Sequence, residues 1–365
     1  MKRLWILLFI VTIPLLGGSL NGEAKSVSIN SDTFPDDYFM TYVEYTFDTN
    51  GDGKLSDKER KAVTVIDVGE ASEYRLELEY PGPYTLEGIE YFPNLKKINC
   101  SGAALDYLDV SKNKNLEELN CIENRIKKLN LKNNKKLKVL ICACNRLNTL
   151  DISKNKNLKK LFCSENKLKQ INLSQNIKLE ELLVSCNPIK KLNVKKLSKL
   201  EKLCCGENKL KKLDVTHNKK LITLECNKNQ ITKLDVTKNK SLDYLHVGDN
   251  ALRKLDLSKN TLLQTFRCNG NQLLTGNVKI SRTQLERCEA ENQKATIKIK
   301  KIGKYYYIPL PNELGTNEIS NLSYGKLTRK GIRVEKSTLP KTITYEYNMF
   351  TDGDEKTKVT IRTKK

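Results

Sequence analysis

Leucine recurs through the middle of the chain at one fixed interval. Leu95, Leu116, Leu137, Leu158, Leu179, Leu200, Leu221, Leu242 and Leu263 stand 21 residues apart, and a degenerate unit begins one residue late at Leu285. One unit reads Leu158-Lys-Lys-Leu161-Phe-Cys163-Ser-Glu-Asn166-Lys-Leu168-Lys-Gln-Ile171-Asn-Leu173-Ser-Gln-Asn176. Leu161 and Cys163 alternate with outward residues, which predicts a short strand. Leu168, Ile171 and Leu173 then seal the inner face from the far wall of the same coil. One coil cannot bury its own apolar face, so neighbours must stack, with their strands side by side in a parallel sheet. At strand spacing, about ten coils give a rod of roughly 50 Å.

Two further columns keep the same register. Asn124, Asn145, Asn166, Asn187, Asn208, Asn229, Asn250 and Asn271 follow the strand, where the coil must turn and leave backbone groups without partners. An amide side chain both donates and accepts there. The first unit has Ala103 at this place, as suits an edge coil. Cys100, Cys121, Cys142, Cys163, Cys205, Cys226 and Cys268 take the second inward strand position, and Val184 and Val247 replace them in two units. The exchange with valine marks a slot for a small hydrophobe. Eleven cysteines would otherwise suggest disulfides, were the chain exported. Cys144, Cys186 and Cys204 lie outside the column, and Cys204 is expected to face outward and be reactive.

The recurring Leu-x-x-Leu-x-Cys-x-x-Asn-x-Leu-x-x-Leu-Asp-Val-Ser-Lys-Asn, from about Leu86 to Asn292, resembles the leucine-rich repeat of bacterial exported, internalin-like proteins. The resemblance implies a curved α/β repeat solenoid that binds a partner on its concave strand face. On that face, between the two inward positions, the units place Asn99, Asn120, Ile141, Phe162, Leu183, Cys204, Glu225, His246 and Arg267. Four successive coils therefore present an apolar residue, and Val139 adds to them. Contiguous exposed apolar surface marks a contact site, and Tyr244, His246 and Arg267 would form its polar and aromatic rim. The alternative is a patch covered by a neighbouring segment.

Lysines dominate the other outward positions. Lys127, Lys128, Lys190, Lys191, Lys211 and Lys212 make one ridge, and Lys112, Lys154, Lys196, Lys238 and Lys259 another. The chain has 65 Lys and Arg against 43 Asp and Glu, for a net charge of +22. Such a balance favours polyanions, anionic cell-wall polymers among them. A simple solvated face is the favoured reading of the ridges over a dedicated polyanion site. Aromatic residues do not interleave with them, which argues against specific nucleic-acid binding.

Ahead of the repeats, Asp48-Thr-Asn50-Gly-Asp52-Gly53-Lys54-Leu55-Ser56-Asp57-Lys58-Glu59 matches the twelve-residue EF-hand loop. Asp48, Asn50 and Asp52 supply side-chain oxygens, Lys54 its backbone carbonyl, Ser56 a ligand directly or through water, and Glu59 two oxygens. Hard oxygen donors at this spacing suit Ca2+. Residues 37–47 and 57–63 read as the flanking helices, and Val65-Ile66-Asp67-Val68 as the start of the sheet. There is one such loop, so a structural role, ordering a cap over the first coil, is expected.

At the amino terminus, Lys2 and Arg3, the apolar run Leu4–Leu16 and the small residues ending at Ala24 read as a secretory signal peptide. No other segment is long enough to span a membrane. Beyond Asn292 the pattern changes to period two, at Ile297 and Ile299, Ile332 and Val334, Ile343, Tyr345 and Tyr347, Val359 and Ile361, with Asp352-Gly353-Asp354 as a hairpin turn. A small β-sandwich, immunoglobulin-like, is expected there. Leu339-Pro340-Lys341-Thr342 is followed by Ile343 and no apolar anchor, so it is not a wall-sorting signal. The expected organisation is signal peptide 1–24, cap 25–85, solenoid 86–292 and sandwich 293–365. With two histidines, His217 and His246, at different registers and no nucleophile, phosphate-loop or paired-carboxylate pattern, the chain reads as a secreted or cell-surface binding scaffold for a protein or glycan and not as an enzyme.

Overall fold

The structure is a computed structural model that describes residues 26–69, 82–273 and parts of 278–364. The expected signal peptide and the turn at Asp352-Gly353-Asp354 lie outside the described residues.

The 21-residue interval becomes a stack of strands. Nine three-residue strands, from Lys97–Asn99 to Thr265–Arg267, follow one another at that interval and enclose eight equal turns, fewer than the ten or so uniform coils expected. Val65–Asp67 adds to one edge and Arg287–Glu289 to the other, giving an eleven-stranded sheet whose neighbours are all parallel. Each of the nine repeat strands carries one leucine-type residue into the core, from Ile98 through Leu161 to Phe266. The parallel register sets like on like, for example Ile141 beside Phe162 and Phe162 beside Leu183.

The cysteine column is core, as the valine substitutions predict. Cys100, Cys121, Cys142, Cys163, Cys205, Cys226 and Cys268 are buried beside Val184 and Val247, and Val68 and Ala290 hold the same slot in the two edge strands. Loss of hydration pushes the Cys121, Cys163 and Cys226 thiols up to about 12, which removes thiolate chemistry near neutral pH.

The turn that leaves the strand is closed by the expected asparagines. Asn166 is typical: its Oδ1 accepts from the Leu147 N–H at 2.9 Å, and its Nδ2 donates to the carbonyls of Cys142 at 2.9 Å and Ser164 at 3.1 Å. At the end of the stack Gln293 takes the same task, accepting from Leu273 N–H at 3.0 Å and donating to the Cys268 carbonyl at 2.9 Å. Next to each amide stands a left-handed residue, and most are not glycine: φ is 58° at Glu123, 53° at Cys144, 53° at Glu165, 54° at Cys186 and 53° at Glu207. Cys144 and Cys186, unplaced by the sequence, belong to this column.

A second asparagine ladder, outside the expectations, closes the turn that returns to the strand. Asn113, Asn134, Asn155, Asn176, Asn218, Asn239 and Asn260 are buried there. Asn155 Nδ2 donates to the carbonyls of Leu131 at 3.0 Å and Asn134 at 2.8 Å.

The amino-terminal cap shares the core of the solenoid. Helix α1 (Asp37–Phe47) buries Tyr38, Phe39, Tyr42 and Val43, and Phe47 packs partly buried against the same cluster. Asp36 caps it by accepting from Phe39 N–H at 2.8 Å, and its other oxygen accepts from Tyr84 N–H at 2.8 Å. Helix α2 (Asp57–Ala62) starts with a capping box between Ser56 and Glu59. Phe34, Phe39, Leu55 and Phe92 join Ile66, Leu95 and Ile98 in one continuous cluster, so the first coil is not left open.

Beyond the solenoid, the described strands form two four-stranded sheets. One orders Gln293–Lys298, Thr357–Lys364, Thr342–Tyr347 and Ile319–Ser320; the other orders Lys300–Ile302, Tyr305–Ile308, Gly331–Glu335 and Lys326–Thr328. Ile332, Val334, Ile343, Tyr345, Val359 and Ile361 are buried, as period two predicts.

Candidate binding face and calcium loop

In the ten strands from Val65–Asp67 to Thr265–Arg267 the middle residue points inward, so the residues on either side line the outer face of the sheet. The column Asp67, Asn99, Asn120, Ile141, Phe162, Leu183, Cys204, Glu225, His246, Arg267 and Glu289 runs unbroken across all eleven strands. It has three parts. At the cap end, Asn99 Nδ2 donates to Asp67 Oδ1 at 2.9 Å, and Asn120 Nδ2 donates to Asn99 Oδ1 at 2.9 Å. In the middle stand Ile141, Phe162 and Leu183, with Val139 beside them. At the far end lie Glu225, His246, Arg267 and Glu289, with Tyr244 alongside.

The apolar part is less open than its sequence suggests. Val139, Ile141, Phe162 and Leu183 are half-buried, because strands about 4.8 Å apart shield one another's side chains. Cys204 departs further from expectation. It is 8% exposed, and burial, with the Glu225 carboxylate adding to it, pushes its thiol up to about 12. It is therefore not the reactive outward cysteine that alternation implied; Leu183 and Glu225 on the neighbouring strands enclose it.

The rim residues do come together. The Arg267 guanidinium lies 5.8 Å from the Tyr244 ring centroid and 3.3 Å from the Glu289 carboxylate. Burial lowers the His246 pKa, Glu225 opposes that shift, and Arg267 adds to it. The imidazole is accordingly neutral at pH 7. Glu225 was legible from its place in the column. Glu289 was not, because the last step of the repeat is one residue longer than the others.

The loop from Asp48 to Glu59 is a closed turn of its own. Asp48 accepts from the N–H groups of Gly51 at 2.9 Å and Gly53 at 2.9 Å, and Gly51 and Gly53 have φ of 69° and 72°. Asp52 accepts from Lys54 N–H at 2.9 Å and from Asn50 Nδ2 at 3.0 Å. Glu59 is held by Thr49 and Ser56, each through its N–H and its hydroxyl. Burial raises the Glu59 pKa, but these hydrogen bonds outweigh it and bring the carboxyl down to about 2. Strand β2 (Lys54–Leu55) pairs antiparallel with β1 (Val27–Ser28), and Ile29 N–H donates to the Gly53 carbonyl at 2.9 Å. Lys54 then faces Ser28 as the non-hydrogen-bonded pair, which leaves its carbonyl out of the ladder. Identity, spacing and backbone path therefore fit a calcium loop. The carboxylates of Asp48, Asp52 and Glu59 are nonetheless spread over internal hydrogen bonds, and no group of three or more His, Cys, Asp or Glu is gathered as a metal site among the described residues.

The stacked parallel strands, turn asparagines and 21-residue period define the class: this is a leucine-rich-repeat solenoid. In fold the chain is similar to the functional domain of InlJ from Listeria monocytogenes, described as including a cysteine ladder, with a TM-score of 0.63 at 23% identity over 93% of this chain and 99% of that one. It is also similar to the L. monocytogenes internalin inlF, with a TM-score of 0.53 at 18% identity over 74% of this chain and 99% of that one. No protein-family model matches the chain, and no curated protein matches it. Among the described residues, no helix is long and apolar enough to cross a membrane.

Proposed function

We propose that this chain is an exported or cell-surface scaffold that binds a protein or glycan on the outer face of its strand sheet. The observation that carries the reading is the row Ile141, Phe162 and Leu183, set between an amide run and the Tyr244–His246–Arg267 rim. An apolar centre with a polar border is the arrangement of a binding hot spot. Because the strands already hold these side chains half-buried, binding costs little conformational entropy. Export rests on the amino-terminal charge and apolar pattern. The test is a binding screen against surface proteins and glycans, comparing wild type with F162A/L183A. Loss of about tenfold or more in affinity supports the reading, and unchanged binding by every ligand found overturns it.

The same proposal includes a structural Ca2+. Asp48, Asn50, Asp52, the Lys54 carbonyl, Ser56 and Glu59 would hold it, and the ion would draw the three carboxylates together at the junction of α1 and α2. β1 supports this role, since it pairs the strand edge of a loop that stands alone. Ca2+ is expected to raise the melting temperature, and Glu59→Ala to abolish that rise; a response that persists in the variant sinks the assignment. Residues 25–85 then act as a cap, 86–292 as the solenoid, and the sheets of 293–365 as a small sandwich at the other end. No catalytic constellation is part of this reading.

A further inference from the structure

Charge is distributed unevenly around each coil. On the strand side and in the turn that leaves it, lysines are matched by carboxylates one coil away: Lys97 with Glu118 at 3.0 Å, Lys138 with Glu117 at 2.6 Å, Lys160 with Glu181 at 2.6 Å and Lys228 with Glu207 at 2.8 Å. The return wall, between the two turns, is different. Across three successive coils it carries an open groove of about 1080 Å3, lined by seven lysines and two aspartates. Lys190, Lys191, Lys209, Lys211, Lys212 and Lys233 are exposed, and none forms an ion pair among the described residues. Lys195 is the exception, 3.2 Å from Asp214. The aspartates are themselves occupied: Asp214 and Asp235 each accept from the N–H and hydroxyl of the threonine two residues on. The floor is aliphatic, formed by Leu192, Leu213 and Leu234, and none of the lining residues is aromatic.

We propose that this groove binds a linear, ring-free phosphate polymer. Lys191, Lys212 and Lys233 form a column with one member per coil, about 5 Å apart at strand spacing. Mobile counterions screen their repulsion in solution, and an anion that runs along the rod and meets several of them takes the place of those counterions. A flexible chain of closely spaced phosphates does this, and its binding gains from counterion release. Lysine offers rotatable point charges and no planar fork, which suits a backbone that presents charge without a fixed geometry. Nucleic acid gains its stacking energy from aromatic side chains, and the groove supplies none. The groove lies away from the strand face and does not depend on what that face binds.

The test uses inorganic polyphosphate as the probe and the mature chain as the protein, titrated over a range of salt concentrations. The groove variant K191Q/K211Q/K212Q/K233Q is compared with K112Q/K154Q/K238Q/K259Q, which removes the same charge elsewhere. Every substituted lysine is exposed, so both variants should melt with wild type. The groove variant is expected to bind about tenfold or more weakly, with its salt slope reduced by about 0.7 for each phosphate it no longer neutralises. The control variant and F162A/L183A should bind nearly as wild type does. The milder K191Q/K212Q should weaken binding in the same direction. Equal losses in groove and control variants would show attraction to net charge alone and overturn the site. So would unchanged binding in the groove variant, or tighter groove-dependent binding of phosphatidylglycerol vesicles or single-stranded DNA than of polyphosphate.

Discussion

The two turns of each coil face the same task and meet it differently. The turn that leaves the strand uses an asparagine with both ends engaged: Asn145 Oδ1 accepts from Ile126 N–H at 2.9 Å, while Nδ2 donates to the Cys121 carbonyl at 2.8 Å. The returning turn uses an asparagine with one end engaged. In Asn113, Asn134, Asn155, Asn176, Asn218, Asn239 and Asn260 the buried Oδ1 meets no donor among the described residues. Replacements follow this difference. Where the first ladder changes at the end of the stack, the substitute is Gln293, another amide that accepts and donates; at its start, where Ala103 holds the register, the corresponding N–H of Tyr84 is met by the Asp36 carboxylate instead. Where the second ladder changes, the substitute is Leu197, fully apolar and 1% exposed. An amide that satisfies an otherwise orphaned N–H is required; one that only adds donors to carbonyls is dispensable.

Asn166→Ala should break the molecule hardest. It orphans the Leu147 N–H and removes the donor shared by the Cys142 and Ser164 carbonyls, inside the core. A loss of about 3 kcal/mol is expected from chemical denaturation. Asn176→Leu, at the other turn, forfeits the bonds to the Ile152 carbonyl at 3.1 Å and the Asn155 carbonyl at 2.9 Å, but it also removes a buried oxygen without a donor. About 1 kcal/mol is expected there. Equal costs for the two variants would erase the distinction between the turns.

Thiols sharpen the contrast between the strand and the turn beside it. Cys163→Val should change stability by less than about 1 kcal/mol, since Val184 already fills that slot one coil away. Cys163→Ser should cost about 2 kcal/mol, because it buries a hydroxyl in a slot lined by apolar side chains. Under a thiol reagent in native buffer, the half-buried Cys144 and Cys186 should label first, and Cys204 and the ladder only on unfolding. Labelling of Cys204 at the same rate as Cys144 would contradict its burial.

Sequence periodicity carried most of this architecture. The interval, the first asparagine ladder, the cysteine slot and helices α1 and α2 all follow from local pattern and side-chain chemistry. Other features depend on neighbours one coil away, which no single unit displays. Cys204 sits at an outward strand position, yet the residues beside it on the adjacent strands bury it. The second ladder is hidden by composition, since Asn113 and its equivalents stand among lysines and asparagines that face solvent. Beyond the solenoid, Gly331–Glu335, Thr342–Tyr347 and Thr357–Lys364 were legible from period two, while Tyr305–Ile308, Ile319–Ser320 and Lys326–Thr328 were not, nor was the pairing: Gln293–Lys298 lies parallel to Thr357–Lys364, and local pattern carries no trace of so distant a partner.

Backbone conformation gives the finest separation of the two turns. The leaving turn holds a left-handed residue in coil after coil, while the returning turn has none among the described residues. Glu123 is such a residue, with φ of 58°, and the equivalent place one coil earlier is Gly102, with φ of 63°. An L residue with a Cβ is strained there by roughly 1–2 kcal/mol. Glycine removes that strain and returns about 0.5–1 kcal/mol of it as unfolded-state entropy. Glu123→Gly should therefore stabilise the protein by about 0.5 kcal/mol. The same exchange in the returning turn, Lys112→Gly, has no strain to relieve and should destabilise by a similar amount. Opposite signs in matched denaturation curves are the expected result. A shared sign would mean that the asparagine ladder, through its hydrogen bonds, already holds the left-handed backbone without cost.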